Sequence, residues 1–66
     1  SIYCSSLLAN HPYQLRIHDL GGNLVQLTKF LGQESIHLKK EISRGSYLFT
    51  ISNKKHIVYR RKLLVE

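Results

Sequence analysis

The sequence predicts an all-β domain, a small sandwich or barrel, on three observations. Large apolar side chains recur at every second residue along several short runs. Turn-forming residues separate those runs at intervals of about 8 to 12 residues. The one stretch with helical character, residues 27–31, is too short to hold a helix.

Each run follows from its alternation. In "YQLRIH", Tyr13, Leu15 and Ile17 share one face, and Gln14, Arg16 and His18 the other. In "ESIHLK", Ile36 and Leu38 oppose Ser35, His37 and Lys39. In "SYLFTIS", Tyr47, Phe49 and Ile51 form one face. Leu48 and Thr50 make the other mildly apolar, as in a central strand covered on both sides. The last run alternates Ile57, Tyr59, Arg61, Leu63 and Val65 against Val58, Arg60, Lys62 and Leu64. The turn signals are "ANHP", "GGN", "GQ", "SRG" and "SNKK". "DLGGNL" suits a tight hairpin, because glycine accepts positive φ and Asn23 tolerates the left-handed region. "SNKK" is the second hairpin, with Asn53 in the turn. Six strands result, near 2–8, 13–20, 23–29, 34–38, 46–52 and 56–65.

At 66 residues the chain is one domain. A domain of this size buries only about 60% of its unfolded surface and is marginally stable. Cys4, the sole cysteine, reads as a small apolar residue and leaves no disulfide within the chain. No stretch approaches the roughly 20 apolar residues of a membrane-spanning helix, and Ser1 to Leu8 lacks the features of a signal peptide. The chain starts without Met inside what reads as a strand, so the expectation is a fragment or processed product of a larger protein. The net charge of +6 falls entirely in residues 39–66. A basic half of this kind attracts nucleic acid, acidic lipid or an acidic protein groove, and it also keeps sheet edges soluble.

Little in the chain points to chemistry. His11, His18, His37 and His56 are spaced by 7, 19 and 19 residues, unlike a compact metal motif, so the expectation is no metal and no cofactor. The acids are too scattered for paired-carboxylate catalysis, and Ser5 and Ser6 lack a nucleophile elbow. "LGGNL" has neither the Walker lysine nor a following helix. No enzyme is expected. Nucleic-acid binding is disfavoured because Tyr13, Tyr47, Phe49 and Tyr59 occupy the apolar registers of their strands.

Three stretches, in order, carry a resemblance. "DLGGNLV" contributes Asp19, Gly22 and Val25. "GSYLFTI" contributes Gly45, Tyr47 and Ile51. "KLLVE" closes the chain with Lys62, Leu63, Leu64, Val65 and Glu66. Together they resemble the C-terminal sorting domain of the type IX secretion system, which exports proteins across the outer membrane of Bacteroidetes-type bacteria. The isoleucine–x–leucine run and linker before Gly45 are similar to that family too, and the likeness covers residues 13–66. The family's opening Asn-Pro element is missing, as expected of a fragment lacking the first strand, and Asn23 stands where the family often has a basic residue.

The resemblance implies an immunoglobulin-like antiparallel β-sandwich of about six to seven short strands, following a cargo domain. It implies recognition by the translocon and shuttle proteins of the outer membrane. In many cargos a cell-surface sortase then removes the domain and joins the cargo to anionic lipopolysaccharide. The expected route runs through the periplasm to the cell surface. In that setting Gly22 serves the hairpin, and Gly45 allows a sharp start to its strand, where a Cβ would clash. Tyr47 buries its ring while its hydroxyl finds a partner. Lys62 to Glu66 form a terminal strand that a receptor can read by strand addition. A bare edge also predicts pairing with a second copy by strand exchange. Two other readings stand beside this one: a basic polyanion-binding module, and a sandwich used for adhesion or as a spacer.

Overall fold

A computed structural model of the chain describes residues 7–32, 35–39 and 42–66. These residues are all-β: four antiparallel strands in one sheet. They are β1 (Pro12–Asp19), β2 (Leu24–Leu31), β3 (Gly45–Ser52) and β4 (Ile57–Val65). The order across the sheet is β2-β1-β3-β4. Two hairpins, β1–β2 and β3–β4, therefore meet along the β1–β3 seam, and β2 and β4 are the edges.

The alternation read from sequence builds one covered face. Leu15, Ile17 and Ile51 are wholly excluded from solvent, and Tyr47 and Phe49 are buried beside them. Burying one aliphatic side chain of this kind contributes about 1.5–3 kcal/mol. Tyr13 stacks on Phe30 across the β1–β2 pair, with ring centroids 5.9 Å apart. Phe49 stacks on Tyr59 across β3–β4 at 5.8 Å. Leu7 and Ile36 are buried against this face, and Leu38 and Ile42 pack on it half-buried.

Two of the six expected strands differ. The run at 2–8 falls mostly on residues 1–6, outside the described residues, together with Cys4, Ser5 and Ser6; Leu7 and Leu8 form no strand. The run at 34–38 begins on Glu34, also outside them. Ser35 to Lys39 form no strand beyond a bridge residue at Ile36, although Ile36 and Leu38 face the core as the alternation requires. The physical reason is a side chain. Gln26, buried on β2, donates from Nε2 to the His37 carbonyl at 3.2 Å and to the Thr28 hydroxyl at 2.9 Å. Its Oε1 accepts from the Lys39 amide at 3.0 Å. One carboxamide thus does for His37 and Lys39 what a neighbouring strand's peptide group would do. Gln26→Ala is expected to cost about 1–2 kcal/mol, since it removes three part-buried hydrogen bonds. Hydrogen exchange provides the check: the Lys39 amide should lose protection while the β1–β3 amides keep theirs. Unchanged protection at Lys39 would refute the clamp.

Two bulges re-aim residues that simple alternation misplaces. On β2 the register jumps between Ile17–Gln26 and His18–Leu24, so Val25 is extra and turns toward the core. On β4 it jumps between Ile51–Tyr59 and Ser52–Ile57, with Val58 between them. Ile57 therefore leaves the register of Tyr59 and Leu63 and faces outward, half exposed, which corrects the single alternation expected for this run.

Candidate functional site

The three sequence motifs converge at one end of the sheet. Asp19 ends β1, Gly45 begins β3 and Val65 ends β4. Asp19 pairs with Tyr47, and Tyr47 pairs with Leu63, so one residue from each motif lies in a single cross-strand row. Gly45 pairs with Val65 beside it. Gly22 sits in the turn that leaves this row, and Val25 is the bulge that follows. Ile51 stands apart, deep in the core between Leu15 and Tyr59.

The β1–β2 turn is a three-residue loop closed by Asp19 and Asn23. Their backbones bond at 3.0 Å, and the Gly22 amide donates to the Asp19 carbonyl at 3.1 Å. Gly22 takes φ +89°, and a Cβ there would meet nothing within 4 Å, so the demand for glycine is purely conformational. Asn23 does not use the left-handed region expected of it; its amide instead donates to Asp19 Oδ1 at 2.9 Å, and its Nδ2 reaches both carboxylate oxygens.

The Asn23 amide, then its side chain, holds the Asp19 carboxyl below the ordinary 3.8. A carboxyl depressed in the folded state stabilises fully above the unfolded value and loses that contribution as pH falls through the folded value. The hairpin is therefore expected to loosen below about pH 3.8, with Asp19→Asn flattening this acid limb. A pH titration of the Asn23 amide resonance checks it. An identical acid limb in the variant would assign the loosening elsewhere.

At Gly45 the requirement differs from the one expected. A Cβ would meet only Tyr47 Cε1, at an ordinary 3.8 Å, so no clash excludes it. The backbone excludes it instead, because φ is +151°. Tyr47 behaves as expected: its ring is buried and its hydroxyl donates to the Ser43 carbonyl at 2.7 Å. The link before β3 is thereby tied to the strand.

The closing strand shows two different sides. Leu63 and Val65 lie half-buried on the covered face, opposite Tyr47 and Gly45. Lys62 and Leu64 are exposed on the other face, and Glu66 is exposed beyond the strand. Among the described residues β4 pairs with β3 alone, which makes β4 one of the two edges of the sheet. Arg60, Arg61 and Lys62 load that edge with charge, which also discourages uncontrolled pairing. The Arg61 guanidinium lies 4.5 Å from the centroid of the Tyr59 ring.

Other candidates are not brought together. His18 faces away from the core, whereas His37 rides on the segment over the covered face. Among the described residues no three His, Cys, Asp or Glu side chains converge as metal ligands. Tyr13, Phe30, Tyr47, Phe49 and Tyr59 all belong to the covered face, opposite Arg16, Arg60 and Lys62. An open hollow of about 540 Å³ lies at the other end of the sheet, lined by the start of β1, the end of β2 and Ser52 to Lys54, with no motif residue in it.

Two residues escaped the sequence reading. Gln26 has no local signature, because a glutamine in an edge strand is ordinarily solvated. Gly32 was legible as a turn signal, but its role is spatial: its amide donates to the His11 carbonyl at 2.9 Å, and it bridges to Ala9 against the Leu8 backbone. No family model, no curated protein and no solved structure matches this chain.

Proposed function

We propose that this domain is an address rather than a catalyst: a C-terminal sorting signal of the type IX secretion kind, carried behind a cargo domain. The observation that supports this reading best is the convergence of the motifs. Asp19, Tyr47 and Leu63 come from stretches far apart in sequence, yet they form one row next to Gly45, Val65 and the Gly22 turn. Motif residues scattered for packing alone have no need to share one end of a sheet with an edge strand.

The sheet is then one layer of an immunoglobulin-like sandwich of six to seven strands, with the segments around Leu7 and Ile36 contributing to the other layer. Burial of Leu7, Ile36, Leu38 and Ile42 against the covered face supports that. So does the Tyr47 hydroxyl, bonded to backbone four residues upstream as in the tyrosine corner of many such sandwiches. The partners are the outer-membrane translocon, its shuttle proteins and a sortase, met on a route through the periplasm to the cell surface. The outer edge of β4, which no described strand pairs, offers strand addition as the means of recognition, or of pairing with a second copy.

The test is a graft. A reporter sent to the periplasm of a bacterium that has the type IX system, with residues 1–66 fused at its C-terminus, is expected at the cell surface. Retention in the periplasm with the domain intact would reject the reading.

A further inference from the structure

The face of the sheet turned away from the core carries a pattern that packing does not require and that extends well beyond Lys62 and Leu64 of the closing motif. Its cross-strand rows are Lys29–Gln14–Ser52–Ile57, Leu27–Arg16–Thr50–Arg60 and Leu24–His18–Leu48–Lys62, with Ser46–Leu64 beyond them. Four cations stand here, Arg16, Lys29, Arg60 and Lys62, all exposed. No acid opposes them from the strands: Asp19 is the sole acidic residue in the four strands, and it lies in the register of the covered face. Aliphatic side chains share the surface, with Leu64 63% exposed, Leu24 and Ile57 50%, Leu31 44% and Leu27 41%.

We infer that this face docks on an anionic lipid surface, with its edge leucines and Ile57 entering the boundary of the acyl chains and its cations meeting headgroup phosphates.

The arrangement favours lipid over other acidic partners. A protein interface concentrates apolar side chains at its centre and polar ones at its rim. Here the order is reversed. The inner strands β1 and β3 present Gln14, Arg16, His18 and Ser52, with Thr50 buried between them and Leu48 the one aliphatic among them, half-buried. The exposed aliphatics stand on the edge strands β2 and β4. Nucleic acid has no use for five exposed aliphatics, and the rings it would stack on are on the opposite face.

A lipid interface uses both features together, since affinity there combines buried apolar area with attraction to anionic headgroups. Long basic side chains suit it further, because their stems lie among apolar groups while the charged ends reach phosphate. Strand spacing puts Arg16 and Arg60 about 10 Å apart and Arg60 and Lys62 about 7 Å apart. Those separations are close to the screening length of about 8 Å at physiological salt, so the charges act as one field.

Vesicles test this with the 66-residue chain. Binding is expected to phosphatidylcholine vesicles containing phosphatidylglycerol, and not to phosphatidylcholine alone. Replacing Arg16 and Arg60 by glutamine is expected to lower partition by about 25-fold, roughly fivefold per cation near a charged surface. Replacing Lys54 and Lys55 instead removes the same net charge from the β3–β4 turn and is expected to matter far less. The chain has no tryptophan, so Leu64→Trp gives a single reporter whose emission should shift to the blue on anionic vesicles; Leu20→Trp, in the β1–β2 turn, should not shift. Circular dichroism confirms that each variant is folded. Equal losses from the two charge pairs would reduce the effect to net charge and overturn the inference. An unshifted Leu64→Trp, no vesicle binding, or equally tight binding to a duplex oligonucleotide would each overturn it as well. None of these outcomes bears on the export graft.

Discussion

Gly32→Ala is expected to lose about 3 kcal/mol of stability or more, although Gly32 lies in none of the three motifs. A Cβ at this position would press into the Leu8 carbonyl oxygen, and it would stand 2.8 Å from the Leu8 carbonyl carbon and 3.0 Å from Tyr13 Cε2. The obstacle is backbone, which cannot swing aside as a flexible side chain does. Leu8 is itself held, its amide donating to the Tyr13 hydroxyl at 3.1 Å and its carbonyl accepting from the His11 amide at 3.3 Å. Relief requires separating the segment before β1 from the end of β2, and Leu7 would then leave the core. Overpacking of a well-filled site costs about 1–3 kcal/mol, and this geometry belongs at or above the upper end. Total stability of about 0.05–0.15 kcal/mol per residue leaves a chain of 66 residues roughly 3–10 kcal/mol. Urea denaturation of Gly32→Ala beside Gly21→Ala measures the difference. At Gly21 the added Cβ meets side-chain atoms only, at 3.4 Å. A Gly32→Ala midpoint equal to that of the parent would show that the segment at Leu8 is free to move.

The two sides of β4 should separate when the domain is asked to deliver a reporter. Lys62→Glu with Leu64→Asp alters only exposed side chains, so stability should change by about 0.5 kcal/mol or less. Surface delivery should nonetheless fall about tenfold or more, the loss expected if recognition weakens by ~1.4 kcal/mol. Leu63→Ala acts the other way. It takes a half-buried side chain from opposite Tyr47 and should cost about 1–2 kcal/mol, toward the low end for truncating a large aliphatic. Its delivery should track the fraction of folded domain. Removing residues 62–66 combines both losses, because Lys62 to Val65 also pair with Leu48 to Gly45. Delivery that follows stability alone across the three variants would make β4 a packing element and not the surface that is read. Undiminished delivery after the truncation would dismiss its role altogether.

The motif glycines and the tyrosine divide along the same line. Gly22 and Gly45 are required by backbone conformation, at φ +89° and +151°, and Tyr47 by its ring and its bond to Ser43. These are local demands, and residue type reveals them. Whether a receptor also touches them is a separate matter, one that the exposed Lys62 and Leu64 are better placed to report.

What the sequence determined by itself is local. A period of two placed Leu15, Ile17, Tyr47, Phe49 and Ile51 inside, and turn chemistry placed hairpins at Gly22 and Asn53. The second turn closes as its chemistry requires, with Asn53 Oδ1 accepting from the Lys55 and His56 amides at 2.8 and 3.0 Å. Such preferences act over two to five residues and need no knowledge of the rest of the chain. The tertiary structure decided the remainder. Strand order β2-β1-β3-β4, the bulges at Val25 and Val58, the Gln26 clamp and the close approach at Gly32 all join residues distant in sequence. A bulge inverts the side-chain register beyond it, so alternation alone put Ile57 on the wrong face. Pairing β1 with β3 brought Asp19, Tyr47 and Leu63 into one row and left the cations and the edge leucines together on an open face. Neither surface exists until strands that are not neighbours in sequence have paired.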